Sequence, residues 1–80
     1  MNHVYLLESI SHPGRRYRGL TNDVPRRLLR HNAGEVPSTA RFRPWRVVVS
    51  IRFADRSKAA AFEQYLKSGS GHAFAERHFW

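Results

Sequence analysis

The chain has 80 residues, which suit one domain (residues 1–80) with one small hydrophobic core and leave little room for a second domain. It contains no cysteine, which excludes disulfides, thiolate zinc sites and cysteine nucleophiles. The 14 Lys and Arg residues outnumber the 6 Asp and Glu residues, and the formal net charge is +8. Because arginine, the dominant cation, presents a planar fork of donors that matches phosphate oxygens, this charge predicts a polyanionic partner. Simple solubility of an Arg-rich protein is the alternative.

No apolar run approaches the roughly 20 residues that cross a bilayer, and no segment opposes a long apolar face to a basic one. The first residues lack the basic and apolar regions of a secretory signal. We therefore expect no membrane partner and a cytoplasmic location. Phosphate-loop, dinucleotide-binding and serine-hydrolase motifs are missing, so we expect no nucleotide cofactor.

The first part of the chain is predicted to form an antiparallel hairpin. Residues 3–8 are a β-branched and aromatic run typical of a strand. Residues 11–14 (Ser-His-Pro-Gly) signal a turn, and residues 16–20 resume extended character.

A helix is predicted to follow the hairpin. Residues 21–23 offer capping oxygens, Pro25 fits a first helical turn, and Ala33-Gly34 should end the helix after Asn32. Its predicted buried stripe consists of Val24, Leu28 and Leu29.

The second half is predicted to contain a loop, a strand and two helices. Residues 35–44 are basic, contain two prolines and show no periodicity, which indicates a surface connection. Residues 45–53 alternate, which predicts a half-buried strand. Its side chains predicted to share one face are Val47, Val49, Ile51 and Phe53.

Asp55 is predicted to cap a helix over residues 56–68 that stops at Gly69, and a short last helix should end near Arg77. The stripe predicted to face inward consists of Ala59, Phe62 and Leu66, with Glu63 beside it, and Ala73 and Phe74 should pack from the last helix. The order β-β-α-β-α-α predicts an α+β fold, a small three-stranded antiparallel sheet flanked by about three helices.

Several short motifs in this order resemble the GIY-YIG nuclease family, which includes the catalytic domains of excision-repair and homing endonucleases. Val4-Tyr5 and Tyr17-Arg18-Gly19 stand where the family carries its two namesake motifs, and the next helix has an Arg and, four residues on, a His. The segments 55–63 and 66–71 are similar to those of small stand-alone bacterial members. The first motif departs from the family pattern in reading His-Val-Tyr, the second has Arg18 at a usually apolar position, and a late Asn found in other branches has no counterpart.

The resemblance implies a metal-dependent endonuclease that hydrolyses DNA. Glu63 would hold one Mg²⁺ or Mn²⁺ ion, because such a hard cation retains waters and accepts a single protein carboxylate. The alternative is an ordinary helical ion pair of Glu63 with Lys67. Arg27 would clamp the scissile phosphate through a bidentate guanidinium, where the alternative is a solvated arginine.

The two motif tyrosines and the helix histidine complete the implied catalytic set. Tyr5 would orient or deprotonate the attacking water, with Tyr17 as its hydrogen-bond partner or as the alternate base. A phenol is a poor base at neutral pH unless nearby cations favour the phenolate. His31 would contact the phosphate or share in proton transfer, or would merely interact with the helix dipole.

DNA is the expected partner, with its strandedness left open among single-stranded, duplex and branched forms, and the chain would be a monomer or a weak homodimer. Trp45 or Trp80 could stack on unpaired bases. The pathway would be DNA repair, recombination or DNA uptake. The alternative function is a nucleic-acid-binding module of the same fold with little or no catalysis. The residues expected to bind the nucleic-acid backbone are Arg18, Arg30, Arg41, Arg43 and Lys67.

Overall fold

A computed structural model describes residues 1–80 as a three-stranded antiparallel sheet with helices packed on both faces. The strand order is β2-β1-β3, so β1 is central and β2 is an edge strand. None of the helices is long and apolar enough to cross a membrane. The α+β fold confirms the prediction and adds one short helix. The elements are β1 (His3–Ser9), β2 (Arg16–Thr21), α1 (Val24–Asn32), α2 (Pro37–Ala40), β3 (Trp45–Arg52), α3 (Arg56–Leu66) and α4 (Gly69–His78).

The central strand β1 is buried on both faces, which explains why its sequence is an unbroken run of large side chains. Val4 and Leu6 face α3 and α4, while Tyr5 and Leu7 face α1, since successive side chains of a strand point to opposite sides. All four are 1% exposed or less. The sheet thus separates two clusters of buried side chains.

The predicted alternation of β3 is wrong because the strand contains a register shift. Leu7 pairs with Val47 and Leu6 pairs with Val49, which leaves Val48 as an extra residue between them. Val47 therefore packs on the Tyr5 side of the sheet, whereas Val49 and Phe53 pack on the Leu6 side. A strict period of two would have placed all three on one face.

Helix α1 has its predicted caps and a different buried stripe. The Asp23 side chain accepts a hydrogen bond from the Arg26 amide at 3.1 Å. At the other end Gly34 adopts φ +79°, a conformation that favours glycine. Leu29, predicted to be buried, is 71% exposed, and the position turned inward in the last turn is that of His31.

The connection between α1 and β3 is more ordered than the sequence predicted. It contains α2, and the side chain of Thr39 within α2 is buried. The indole nitrogen of Trp45 donates to the Thr39 carbonyl at 2.8 Å, so Trp45 is a core residue and cannot stack on a base. Trp80 is half-buried against the core, with the guanidinium of Arg16 over its ring, and its stacking on a base stays a prediction.

The junction of α3 and α4 also differs from the prediction. Helix α3 ends at Leu66, and Gly69 is the first residue of α4, whose N-cap is Ser68. Gly71 allows the helices to meet, because a Cβ there would lie 1.7 Å from the Tyr65 carbonyl oxygen. Packing from α4 comes from Ala75 and Phe74, while Ala73 is exposed.

Candidate active site

A chain of hydrogen bonds runs through the buried side of α1. The Tyr5 hydroxyl lies 2.9 Å from Nε2 of His31, and His31 Nδ1 lies 2.7 Å from the hydroxyl of Thr39. The Thr39 hydroxyl in turn donates to the carbonyl of Val36 at 3.3 Å. We assign the one hydroxyl hydrogen of Thr39 to this bond, so Thr39 accepts from His31 Nδ1–H. His31 Nε2 therefore carries a lone pair and accepts the hydroxyl proton of Tyr5.

Arg27 approaches the same hydroxyl from the solvent side. Its Nε donates to the Tyr5 oxygen at 3.2 Å, so this oxygen accepts from a cation while it donates to a neutral ring. This bond is the largest factor that raises the pKa of Arg27, which stays charged. The phenol oxygen thus donates inward to His31 and accepts from Arg27.

The surroundings fix the protonation states of these groups. Burial, followed by the positive charges of Arg27 and Arg30, lowers the pKa of His31 to about 4. Burial also raises the pKa of Tyr5 above its ordinary value, and the hydrogen bond from Arg27 offsets this only in part. At neutral pH the site therefore holds a neutral imidazole and a protonated phenol.

The second motif explains how Tyr5 is held. A Cβ at Gly19 would lie 2.7 Å from the Tyr5 hydroxyl oxygen, so only glycine leaves room for the ring. The ring of Tyr17 packs edge-on against His31 with 4.9 Å between centroids, and its centroid lies 6.1 Å from that of Tyr5. The structure thus brings together four of the predicted catalytic residues, Tyr5, Tyr17, Arg27 and His31.

Glu63 lies on the other side of the sheet, on α3. Its side chain is 7% exposed, and Oε2 lies 3.0 Å from Nζ of Lys67, whose side chain is 49% exposed. The ion pair of the alternative interpretation is therefore present, yet Glu63 is part of the buried stripe rather than beside it. Lys67 lines one concave surface with Tyr17, at the edge strand β2, and this surface connects α3 to the tyrosine side of the sheet.

These groups can hold a divalent ion only as a single-carboxylate site. No group of three or more His, Asp or Glu side chains is placed to bind a metal. The Glu63 carboxylate already attracts one cation, the Lys67 ammonium, and accepts no hydrogen bond from any other side chain. A hard ion that keeps its waters and takes further oxygens from a phosphate fits such a ligand.

The predicted nucleic-acid contacts are dispersed around these groups. Arg30 is exposed and pairs with Glu35 at 3.4 Å. It also lines a depression of about 250 Å³ at the start of α1, together with Arg26 and Arg27. Arg26 was not among the predicted contacts, although its spacing from Arg30 on one helix indicates a shared face. The remaining candidates are Arg41 and Arg43, exposed after α2, and Arg18 and Lys67, at the edge of the sheet.

Thr39 is the member of the network that sequence reasoning missed. It lies in a segment predicted to be an irregular surface loop, and threonine carries no motif there. The Pro37-Ser38-Thr39 sequence, with proline in a first helical turn, is the one local signal that indicates a short helix.

The chain matches a family model with the description GIY-YIG catalytic domain over residues 1–75. It therefore belongs to the GIY-YIG family, whose catalytic domain is that of a nuclease and generally depends on a divalent metal. This confirms the resemblance seen in its motifs.

Two relatives are described as "Structure-specific endonuclease subunit SLX1". The protein from Candida dubliniensis is 39% identical over 83 residues, which cover 94% of this chain and 27% of the relative. The protein from Scheffersomyces stipitis is 39% identical over 82 residues, which cover 94% of this chain and 23% of the relative. The chain thus spans about a quarter of the length of these fungal relatives, whereas the sequence analysis likened it to small bacterial members. No solved structure matches the chain.

Proposed function

We propose that this chain is the catalytic domain of a DNA endonuclease that uses Mg²⁺ or Mn²⁺ and cleaves branched DNA. The observation that carries the proposal is the path Arg27 Nε to Tyr5 Oη to His31 Nε2, which directs the Tyr5 proton away from the surface. The relatives named as structure-specific endonuclease subunits support branched DNA over uniform duplex as the substrate. DNA repair is the pathway that their name best fits.

In this proposal Tyr5 acts as a relay for one proton. A water molecule hydrogen-bonded to its oxygen attacks phosphorus and gives a proton to Oη, while Oη passes its own proton to His31 Nε2. The phenol need not be a phenolate at any stage, which suits its raised pKa. Thr39 accepts from Nδ1–H throughout and stabilises the imidazolium that forms.

Arg27 serves both the phosphate and the relay. Its Nε already binds Tyr5, so its two terminal nitrogens are left for the phosphate oxygens on which charge develops. A divalent ion at Glu63 would supply positive charge to the phosphate and to the leaving oxygen. The P–O bond to the leaving group breaks as the water oxygen bonds to phosphorus.

The alternative is a DNA-binding module without catalysis. The lowered pKa of His31 and the ion pair that Lys67 forms with Glu63 favour it, because the first opposes the imidazolium that the relay forms and the second occupies the carboxylate that would hold the ion. A buried carboxylate in a strongly basic protein argues against it, since DNA binding alone gains nothing from a negative charge.

Cleavage of labelled single-stranded, duplex and branched DNA in Mg²⁺, Mn²⁺ or EDTA tests the proposal. We expect metal-dependent products, most of all from branched DNA, that are lost in Glu63→Ala. Glu8→Ala is the matched control, because Glu8 also pairs with a cation, Arg46, but lies on β1 rather than on α3. DNA that all three proteins bind and none cleaves would replace the endonuclease with the binding module.

A further inference from the structure

A second cationic surface lies at the edge of the sheet, apart from the depression that Arg27 lines. It is concave, and three of the four side chains that form it are cations: Arg16, Tyr17, Arg18 and Lys67. Because β2 is an edge strand, this surface continues from the Tyr17 side of the sheet to α3. We refer to it as the edge pocket.

The three cations of the edge pocket differ in their partners. Arg16 pairs with Glu76, and Lys67 pairs with Glu63. The side chain of Arg18 has no ion-pair or hydrogen-bond partner, and its Nε is buried without an acceptor. A buried donor without a partner is costly, and an anion in the pocket would remove that cost. Arg18 also stands where the motif is usually apolar, so this cation is a feature of the chain's own sequence.

Lys67 belongs both to the edge pocket and to the candidate metal ligand. Its ammonium lies 3.0 Å from Glu63 Oε2, where it competes with any other cation for the carboxylate. Half of its side chain is exposed, so its four-carbon stem is free to swing towards an anion in the pocket.

We propose that the edge pocket binds a DNA backbone phosphate, and that this phosphate draws Lys67 away from Glu63 so that a divalent ion takes its place. The inference rests on the proposed function, because it assumes Glu63 as the ion's ligand. Without DNA, Lys67 occupies the carboxylate and weakens ion binding. With a phosphate on Arg18 and Lys67, the carboxylate is released. Phosphate and ion therefore bind cooperatively, and each raises the affinity for the other by the same factor.

The first test is Mn²⁺ binding to the full chain in the absence of DNA, followed by electron paramagnetic resonance. We expect Lys67→Met to bind Mn²⁺ about two- to fivefold more tightly than wild type, the factor expected for the loss of one partly exposed ion pair. Lys58→Met is the matched control on the same helix, because Lys58 is exposed and forms no ion pair. Glu63→Gln should abolish Mn²⁺ binding both in the wild-type chain and in Lys67→Met.

The second test adds dimethyl phosphate, a soluble phosphodiester, to the same titrations. We expect it to tighten Mn²⁺ binding to wild type and to Lys58→Met, and to have little effect on Arg18→Met or Lys67→Met. Circular dichroism establishes that each variant is folded.

Equal Mn²⁺ affinities for wild type and Lys67→Met would overturn the proposal, as would Mn²⁺ binding that does not need Glu63 or that is too weak to detect in both proteins. A phosphodiester effect that persists in Arg18→Met would also overturn it. These results are independent of cleavage: a nuclease that cleaves branched DNA but shows no effect of Lys67 on Mn²⁺ keeps the proposed function and loses the coupling.

Discussion

The two faces of the sheet use one strand for different purposes. On the α3 and α4 face, Val4 and Leu6 enter an apolar cluster with Ala59 and Leu66. On the α1 face, the alternate residue Tyr5 is equally buried but belongs to a hydrogen-bonded chain through His31. Neighbouring residues with the same burial thus serve stability on one side and candidate chemistry on the other. The difference teaches that burial by itself does not distinguish core from site.

Side chains from the two faces of the sheet can act together only where both reach one surface. The central strand β1 keeps them apart, and the edge strand β2 is one place where they meet. There Tyr17 from one face and Lys67 from the other line one concave surface. A phosphodiester bound at this edge would lie next to side chains from both faces, Tyr17 and Lys67.

Tyr5→Phe is expected to have the largest effect of the changes considered, and this effect is a loss of cleavage rate. It removes the relayed proton, which should lower the cleavage rate of a branched substrate by about 10²- to 10⁴-fold. Stability should fall by only about 1 to 3 kcal/mol, because His31 Nε2 loses its donor. Single-turnover cleavage and urea unfolding measure the two effects, and a variant that cleaves like wild type would remove Tyr5 from the mechanism.

Leu6→Ala, one residue along the strand, should show the opposite pattern. Leu6 is fully buried in the apolar cluster, so we expect a loss of about 2 to 5 kcal/mol in the free energy of unfolding. The molecules that remain folded should keep most of their cleavage rate, since the change removes only apolar atoms and no hydrogen bond or ionic group of the candidate site. Urea unfolding, with cleavage normalised to the folded fraction, tests the contrast. The expected contrast is contradicted if Leu6→Ala lowers the free energy of unfolding by less than Tyr5→Phe does.

Acid should weaken the α1 face through His31. Above pH 6.5 the imidazole is neutral in both the folded and the unfolded chain. Between pH 6.5 and about 4 the unfolded chain binds a proton that the folded protein excludes, so stability falls as pH falls, by about 2 to 3 kcal/mol over this range. Hydrogen bonds from Ser57 lower the pKa of Asp55. The stability that this shift contributes is lost only as the pH falls below the ordinary pKa of the carboxyl, 3.8.

Urea midpoints measured across this pH range show the effect. His31→Gln should flatten that part of the profile, while His72→Gln, at an exposed position, should keep it. A profile unchanged by His31→Gln would mean that another group excludes the proton.

Leu29→Ala should have the smallest effect. The sequence pattern placed Leu29 in the core, but its side chain is 71% exposed. We therefore expect a change within about 0.5 kcal/mol. Leu28→Ala is the control. Leu28 is the neighbouring residue in α1 and packs against the buried cluster, so its loss should lower the free energy of unfolding clearly more. Equal losses of stability in Leu28→Ala and Leu29→Ala would mean that Leu29 is buried, as the sequence predicted.

The sequence by itself determined the order of every element except α2, the caps at Asp23 and Asp55, and four of the residues at the candidate site. Local chemistry decides these features: capping oxygens, glycine at a turn, and motifs whose spacing is fixed along one strand or helix. Their functional roles remain predictions.

Only the tertiary structure decided which faces these residues occupy and who their partners are. The register shift in β3 divides Val47 from Val49, and the short helix α2, which was not predicted, brings Thr39 to His31. Likewise, Lys67 reaches the tyrosine side only because β2 is the edge of the sheet. Periodicity assigns a side chain to a face of its own element, whereas pairing between distant segments decides what that face meets.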